Sequence, residues 1–403
     1  MKTLHFLSYP ITNPQHGGQL RCAALQAALR RAGFETASIS VFDIAHYQDF
    51  SASDMPLASG LFNYYIMDHP WDLKLSDVVA NNDELYPEFV RKVTEINADC
   101  YIFEQPWLWP LMRKVMADFP NLVRPVVYSS QNIEFDLIRA IMKKNTPELN
   151  AHDQWLVDYT YAIEKELCEY AELVVCCTAR DMEFFNSVYA IKHICYFANG
   201  INPPGVVSAD VERKYAERYR GLRIASFVGS AHPPNADGWE EMLGENMGFI
   251  PPDCRVAIIG GVADLLRQRK GWTGVFRGLN ASRIDMLGRL PQEELDAVLA
   301  RADLMILPIT TGGGSNLKTA EALISGKPIL ATRLSFRGYD EFSSFPGIYL
   351  TDDPGEFRRQ CCDLLRNPHP VERTPEQVKQ TEKVLWQNIL ADYPEQILQL
   401  MKK

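Results

Sequence analysis

Short apolar runs that alternate with helical segments constrain the fold of this chain more than any other feature of its sequence. The first run, at residues 4–10, leads into a loop with prolines and glycines, and a helical pattern follows it. Similar runs recur in ETASISVFDI, DCYIFEQP, RPVVYSSQN and ELVVCCTARD. Because buried parallel strands are apolar throughout and are joined by helices, this alternation predicts a doubly wound parallel sheet.

The alternation stops at ANGINPPGVVSAD and then resumes. The later runs are RIASFVGS, CRVAIIGG, GVFRGLN, IDMLGRL, ADLMILP, KPILAT and GIYLTDD, and each is expected to contribute a strand. A chain of 403 residues exceeds the usual size of one core. The break therefore predicts two sheet domains, at 1–204 and 205–375. The helical segment 376–403 is expected to pack on the first domain through Trp386, Ile389 and Tyr393.

Composition narrows the classes of function. A net charge of −10 argues against nucleic acid as a partner, since phosphate binding needs a concentrated basic face. The nine cysteines have neither CxxC nor Cys/His ligand spacing, so we expect buried free thiols rather than a zinc site or a disulfide framework. No apolar run is long enough to span a bilayer and no secretory leader is apparent, so the sequence predicts a cytoplasmic protein.

The stretch TTGGGSNLKTAEALISGKP, from Thr310 to Pro328, is the strongest candidate for a ligand site. Glycines before a helix allow close backbone approach, and free amides at the helix start attract phosphate oxygens. Lys318 adds a positive charge, and Glu321, almost one turn later, can accept hydrogen bonds from a ribose diol. Together these groups suit a nucleoside diphosphate. A plain helix-entry loop with a solvated Lys–Glu pair is the alternative.

Longer motifs support a family resemblance. The segment from Ala225 to Gly338 resembles the nucleotide-sugar domain of retaining GT-B glycosyltransferases of family four, or group 1, through FVGSAHPPNADGW, IIGG and the long stretch from GRLPQEELD to PILAT. The first half resembles the family through GGQLRCAALQAALRRAGFE, YSSQNIEFD and VVCCTARD. The resemblance implies an α/β GT-B fold, with two facing Rossmann-like domains and a last helix that returns to the first domain.

The resemblance also implies roles for particular residues. Lys318 and Glu321 are expected to serve both binding and catalysis, at the diphosphate and the ribose, and Gln131 stands where relatives often carry a catalytic-side histidine. The remaining donor-binding positions, in the phosphate loops, at the base and in the first-domain loop, are Gly17, Gly18, Gly229, Arg289, Leu290, Gly313, Gly314, Ser315, Asn316 and Leu317. The first-domain loop with Gly17 and Gly18 is expected to close against both donor and acceptor, with Gln131 on the acceptor side.

Two departures from the family pattern leave the donor sugar and the reaction details open. Gly313 occupies the position of the family's first glutamate, and SAHPPN after the Gly229 loop carries neither lysine nor arginine. Charge compensation is therefore expected mainly from Lys318, with His232 either assisting if protonated or packing the loop. No DxD motif ends a predicted strand, and DDPGE at 352–356 is interpreted as a helix N-cap. We therefore expect no metal and no cofactor, with the nucleotide-sugar as a substrate.

Candidates for the acceptor side are weaker. Glu104 and Glu134 follow first-domain strands, and the aromatic stretch Leu61–Leu75 interrupts the alternation. Trp107 and Trp109, with two basic residues nearby, indicate either a membrane contact or simple core packing.

Four functions remain open. The first is a retaining glycosyltransferase, with a UDP-sugar as the default donor and a glycan or lipid-linked acceptor in polysaccharide biosynthesis. Such an enzyme would lie in the cytoplasm, with contact at the inner face of the membrane and the oligomeric state both left open. The others are a non-catalytic nucleotide-sugar-binding protein, suggested by Gly313, a GT-B epimerase and a dinucleotide oxidoreductase. The last lacks a GxGxxG after its first strand.

Overall fold

The computed structural model describes residues 1–62, 71–145, 148–312, 316–367 and 371–402. They form two compact units, Met1–Ala198 together with Ile389–Lys403, and Asn199–Asn388. These limits lie at different residues from the predicted domain boundaries. Ile201 and the segment from Val384 to Trp386 both belong to the second unit. They are joined by two backbone hydrogen bonds, because the Ile201 amide donates to the Val384 carbonyl and the Trp386 amide donates to the Ile201 carbonyl.

The first unit is built on a parallel sheet of seven strands in the order β3-β2-β1-β4-β5-β6-β7. The strands are β1 (Lys2–Leu7), β2 (Glu35–Asp43), β3 (Met55–Leu57), β4 (Cys100–Phe103), β5 (Val126–Ser129), β6 (Leu173–Cys176) and β7 (Ile194–Tyr196). The strand order reverses between β1 and β4. Ligands of such sheets bind beyond the carboxyl ends of the strands at this reversal.

Seven helices accompany this sheet in the described part of residues 1–198. They are α1 (Gly17–Arg31), α2 (Leu75–Ala80), α3 (Leu85–Ile96), α4 (Trp109–Asp118), α5 (Glu134–Asn145), α6 (Ala151–Tyr170) and α7 (Ala179–Val188). Helix α1 starts at a capping box, in which His16 accepts from the Gln19 amide and Gln19 accepts from the His16 amide. The cap fixes the helix start directly after the β1 loop.

The tryptophans of the first unit belong to its core. Trp107 and Trp109 are buried, and the Trp109 ring meets the Phe103 ring edge-on at 5.5 Å. Arg113 and Lys114 instead lie on the surface, where they form ion pairs with Glu166 and Asp118. This arrangement supports core packing over a membrane contact for the tryptophans. None of the helices in the described ranges has the length and apolar character needed to cross a membrane.

The second unit has a parallel sheet of six strands in the order β10-β9-β8-β11-β12-β13. The strands are β8 (Arg223–Val228), β9 (Cys254–Ile259), β10 (Ile284–Gly288), β11 (Leu304–Leu307), β12 (Ile329–Ala331) and β13 (Ile348–Leu350). Its helices begin with α8 (Ala209–Arg218), α9 (Pro233–Leu243), α10 (Val262–Arg267), α11 (Lys270–Thr273), α12 (Arg277–Ala281), α13 (Gln292–Arg301) and α14 (Leu317–Ile324). The chain continues with α15 (Pro354–Arg366), α16 (Pro375–Thr381) and α17 (Trp386–Ile389).

Two sequence interpretations in this unit have clear outcomes. The strand predicted at GVFRGLN is wrong, since the segment lies outside every strand and its end forms α12. The Asn280 side chain explains this local structure, because it donates to the Glu245 and Gly271 carbonyls and so ties the segment into a compact loop. The N-cap at DDPGE is confirmed, since Asp353 accepts a hydrogen bond from the Glu356 amide at 2.7 Å.

The last helix, α18 (Tyr393–Met401), belongs to the first unit and packs against α1. The Tyr393 ring is fully buried and meets the Phe197 ring edge-on at 5.7 Å. The return of the C-terminal helix to the first unit is therefore confirmed. Trp386 is the exception, because it belongs to the second unit. All nine cysteines are free, and seven of them are buried.

Candidate functional site

The strand order of the second sheet reverses between β8 and β11, and closely packed glycines follow β8 and its neighbour β9. A Cβ atom added to Gly229 would lie 2.9 Å from Val262 Cγ1. Gly260, with φ of +93°, packs so closely that an added Cβ would lie 2.3 Å from the Gly229 carbonyl oxygen. Only glycine fits either position without movement of its neighbours. The loop after β8 is thus held tightly against the end of β9.

Helix α9 lies directly against the end of β11. A Cβ atom on Gly238 would be 2.1 Å from the Pro308 carbonyl oxygen, so the helix approaches this backbone as closely as glycine permits. Asn235, one turn earlier in α9, is buried. Its side-chain nitrogen donates to the Ser230 carbonyl at 3.0 Å. The close helix packing therefore brings Asn235 beside both the β8 loop and α14.

Helix α14 carries the two residues that the sequence analysis placed at the diphosphate and the ribose. Asn316 caps the helix by accepting from the Lys318 amide at 3.4 Å, and Leu317 is its first residue. The Lys318 ammonium group donates to Asn235 Oδ1 at 2.9 Å. One hydrogen bond thus connects α14 to α9, and Asn235 connects both to the loop after β8.

The two charged groups of α14 have shifted pKa values. Burial lowers the pKa of the Lys318 ammonium group to about 8, an effect that the Glu321 carboxylate opposes. Burial raises the pKa of the Glu321 carboxyl group to about 7, with Lys318 opposing and Asp296 adding to the shift. Both groups therefore change charge near neutral pH, a property that is common at functional sites.

Three buried polar atoms, on α14, at its N-cap and in the segment before the glycine loop, have no hydrogen-bond partner in the part of the chain that the structure describes. They are Thr310 Oγ1, Asn316 Nδ2 and Glu321 Oε2. A buried polar atom without a partner is costly unless a ligand or water completes its hydrogen bonds. The arrangement combines a cation, an acceptor and a donor, which suits a ligand that carries both anionic and hydroxyl groups.

The glycine loop itself is described only at its ends. Gly313, Gly314 and Ser315 lie outside the described residues, so their predicted contacts with the donor stay predictions. Gly312 adopts φ of +129°, and its carbonyl oxygen accepts a hydrogen bond from Arg337 Nη1 at 2.5 Å. Arg337 thereby fixes the start of the loop, and the sequence analysis assigned it no role.

Arg289 and Leu290 directly follow β10, at the same edge of the sheet as the loop after β8. Gly288 ends this strand, and its carbonyl accepts from the Gly260 amide at 2.6 Å. Leu290 packs against the apolar cluster of Tyr215 and Tyr219, whereas Arg289 is exposed. Their assignment to the nucleotide base stays a prediction.

The structure brings together the candidates of the first unit. A Cβ atom on Gly18 would lie 2.3 Å from the Tyr9 hydroxyl oxygen and 2.6 Å from Gln131 Oε1. Gln131 Nε2 donates to the Tyr9 hydroxyl at 2.7 Å and to Cys22 Sγ at 3.3 Å. Burial raises the pKa of Tyr9 well above its ordinary value, so its hydroxyl remains a donor. Gly17, the first residue of α1, adjoins this cluster in sequence.

The remaining acceptor-side candidates have different surroundings. Glu104 is fully buried, and its carboxylate lies 2.7 Å from His5 Nδ1. Glu134 is also buried, and its amide donates to Glu164 Oε1 at 3.0 Å. Both glutamates therefore lie among core contacts and not on an open surface. Within the stretch Leu61–Leu75, residues 63–70 lie outside the described residues.

Across the described ranges, no group of three or more His, Cys, Asp or Glu side chains is arranged to hold a metal ion. Asn235 and Tyr9, like Arg337, are contact residues that the sequence analysis missed. Asn235 offered one signal, since it stands in the first turn of the helix that follows the Gly229 loop. Tyr9 offered none, because a tyrosine at the end of an apolar run is equally typical of a core.

Comparisons with known proteins agree with this architecture. Residues 223–367 match the family model of glycosyl transferases group 1. No curated protein matches the chain by sequence.

Solved structures share the fold over the whole chain. Sucrose-phosphate synthase from Thermosynechococcus elongatus is 14% identical, with a TM-score of 0.73 and full coverage of both chains. HepE from Anabaena, in complex with UDP-glucose, is also 14% identical, with a TM-score of 0.64 over 98% of this chain and 99% of that one. An E. coli trehalose-6-phosphate protein bound with UDP-2-fluoro glucose is 12% identical, with a TM-score of 0.64 over 100% and 99%.

These likenesses confirm the predicted fold class of two Rossmann-like parallel-sheet units. The matched segment spans β8 to α15 and contains Gly229, Asn235, Lys318 and Glu321. Through this segment and through its two-sheet fold, the chain resembles the GT-B glycosyltransferases of group 1.

Proposed function

We propose that this protein is a retaining glycosyltransferase that takes a sugar from a nucleotide-sugar donor, with a UDP-sugar as the default. One observation carries the proposal. Glu321 Oε2 is buried without a hydrogen-bond partner among the described residues, on the same helix as the Lys318 ammonium group. A ribose diol would complete the hydrogen bonds of the carboxylate, and a diphosphate would occupy the field of the ammonium group. The UDP and UDP-glucose bound by HepE support the choice of nucleotide.

The chemistry follows from where negative charge develops. As the bond between the donor sugar and the diphosphate breaks, the leaving oxygen gains charge, and a fixed cation beside it lowers the barrier. Lys318 supplies that cation and the backbone amides of the glycine loop add to it, so the reaction needs no metal. Retention of the anomeric configuration follows from the family resemblance and is part of the proposal.

The acceptor is proposed to be a glycan or a lipid-linked sugar, as in polysaccharide biosynthesis by a cytoplasmic enzyme with access to the inner face of a membrane. Gln131, the Tyr9 hydroxyl and Gly18 form the polar cluster of the first unit that would serve the acceptor side. A non-catalytic nucleotide-sugar-binding protein is the second candidate, because Gly313 replaces the first glutamate of the family pattern.

The test measures nucleoside diphosphate release from UDP-, GDP-, ADP- and CMP-sugars, with and without a panel of glycan and lipid-linked acceptors. Each reaction is repeated with excess EDTA. Release that requires an acceptor and continues in EDTA, with an α-linked product from an α-linked donor, supports metal-independent retaining transfer. Binding without release favours the non-catalytic protein. Activity lost in EDTA and restored by magnesium would overturn the metal-free step.

A further inference from the structure

The Asn235 side chain has only one orientation that satisfies both of its neighbours. Its Nδ2 donates to the Ser230 carbonyl at 3.0 Å and to Ser230 Oγ at 3.3 Å, and a carbonyl can only accept. Its Oδ1 accepts from Lys318 Nζ at 2.9 Å, and an ammonium group can only donate. A reversed amide would place donor against donor and acceptor against acceptor. The amide is therefore locked toward Lys318.

The backbone around Asn235 is held as firmly as its side chain. The Asn235 amide donates to the His232 carbonyl at 2.9 Å, and the residue is 4% exposed. One turn later, Gly238 sets α9 against the Pro308 carbonyl. The position of Asn235 Oδ1, and with it that of the Lys318 ammonium group, is thus determined by two packed segments rather than by a mobile surface chain.

The partner that holds Lys318 is neutral. Within the described residues, Lys318 forms no ion pair, although the Glu321 carboxylate acts on it electrostatically. Two of the three acidic side chains of α9, Asp237 and Glu240, are instead paired with Arg269, at 2.7 and 3.3 Å. A carboxylate at position 235 could still accept from the ammonium group, but it would lose the bond to the Ser230 carbonyl and would offset the charge of the lysine toward an incoming anion.

We propose that Asn235 is a positioning residue, which holds the Lys318 ammonium group toward the donor diphosphate and must be neutral to leave that charge available. The inference rests on the proposed function, because it assigns the diphosphate to Lys318. It also gives a role to the loop after β8, which has no lysine or arginine of its own: the loop orients the lysine of another helix through a neutral amide.

The experiment compares UDP and uridine binding by calorimetry to the native protein, Asn235→Asp and Asn235→Ala. Asn246→Asp is the matched control, since it introduces the same charge at an exposed position of the same unit. Asn235→Asp is expected to weaken UDP binding about tenfold or more, the scale of one lost charge interaction, while uridine binding changes less than twofold. It should also move the alkaline limit of UDP binding to higher pH, because a neighbouring carboxylate favours the charged lysine. The UDP affinity of Asn235→Ala should lie between those of the native protein and Asn235→Asp. The UDP affinity of Asn246→Asp should match that of the native protein.

The outcomes distinguish a failure of the role of Asn235 from a failure of the proposed function. If the native protein binds UDP and Asn235→Asp binds it equally well with the same pH profile, the role of Asn235 is overturned and the proposed function stands. If the native protein binds no nucleotide, both are overturned. Should Asn235→Asp fail to fold, Asn235→Gln keeps a neutral amide on a longer arm. A loss of UDP affinity relative to uridine in that variant supports the positioning role, and an unchanged ratio overturns it.

Discussion

Gly238 in α9 lies against the Pro308 carbonyl so closely that an added Cβ atom would be 2.1 Å from that oxygen. The contact joins the helix that carries Asn235 to the strand end that leads into the glycine loop. Both chain segments must therefore keep this spacing for the candidate site to exist.

Gly238→Ala is expected to destabilise the protein by about 1–3 kcal/mol, since the clash with backbone must push α9 away from β11. Gly278→Ala is the control, because an added Cβ there meets nothing within 4 Å and alanine favours a helix. Urea denaturation followed by circular dichroism measures both. Equal stability of the two variants would contradict the packing argument.

Glu321→Ala is expected to weaken binding of both UDP and uridine by about 1–3 kcal/mol, because a ribose diol would lose hydrogen bonds to a charged acceptor. Lys318→Ala should instead weaken UDP far more than uridine, since its charge faces the diphosphate. Calorimetric titration distinguishes the two patterns, and Glu341→Ala, at an exposed position of the same unit, controls for loss of a carboxylate. Equal loss of UDP and uridine in Lys318→Ala would argue against its placement at the diphosphate.

Nucleotide binding should have a pH optimum. Glu321, whose pKa burial raises to about 7, loses its charge as the pH falls through that value, and its acceptor strength falls with it. Lys318, whose pKa burial lowers to about 8, loses its charge as the pH rises through that value. UDP affinity should therefore decline on both sides of the interval between these values.

Lys318→Arg provides the matched test of the alkaline limit, because arginine stays charged throughout the accessible pH range. This variant should retain at pH 9.5 most of the UDP affinity that it has at pH 7.5, even if a changed fit lowers both values. A decline with rising pH as steep as that of the native protein would assign the alkaline limit to another group.

Gly18→Ala should change the side-chain packing of the first unit and leave that of the second unit unchanged. The added Cβ atom would displace the Tyr9 hydroxyl and the Gln131 side chain, so we expect a loss of about 1–3 kcal/mol in stability and a clear loss of turnover. If Gly18 serves the acceptor, UDP affinity should stay within about twofold of native, because the groups proposed to bind the nucleotide, Lys318 and Glu321, lie in the second unit. Gly60→Ala, with open space around it, controls for stability. Native turnover in Gly18→Ala would show that the cluster of Tyr9, Gly18 and Gln131 does not serve the acceptor.

The sequence predicted well those features that depend on local pattern. Apolar runs located most strands of both sheets, and the spacing of Lys318 and Glu321 placed both residues on one helix that follows a glycine loop. The Asp353 cap was equally readable, because an N-cap depends on neighbours within one turn.

Features that depend on distant contacts could not be predicted. Asn235 and Lys318 are 83 positions apart, and they meet in a fold where α9 packs closely against the end of β11 at Gly238. Glu104 appeared to be a loop carboxylate, yet its pairing with His5, 99 positions away, places it in the core. The error at GVFRGLN arose because its apolar content did not reveal the long-range bonds of Asn280.

A crystal structure of the protein with UDP would locate the nucleotide relative to α14. We expect the diphosphate within about 3 Å of Lys318 Nζ and the ribose hydroxyls at a similar distance from the Glu321 carboxylate, with Asn235 still bonded to the lysine. UDP bound at another place in the protein, with Lys318 and Glu321 free of contact to it, would show that α14 does not form the nucleotide site.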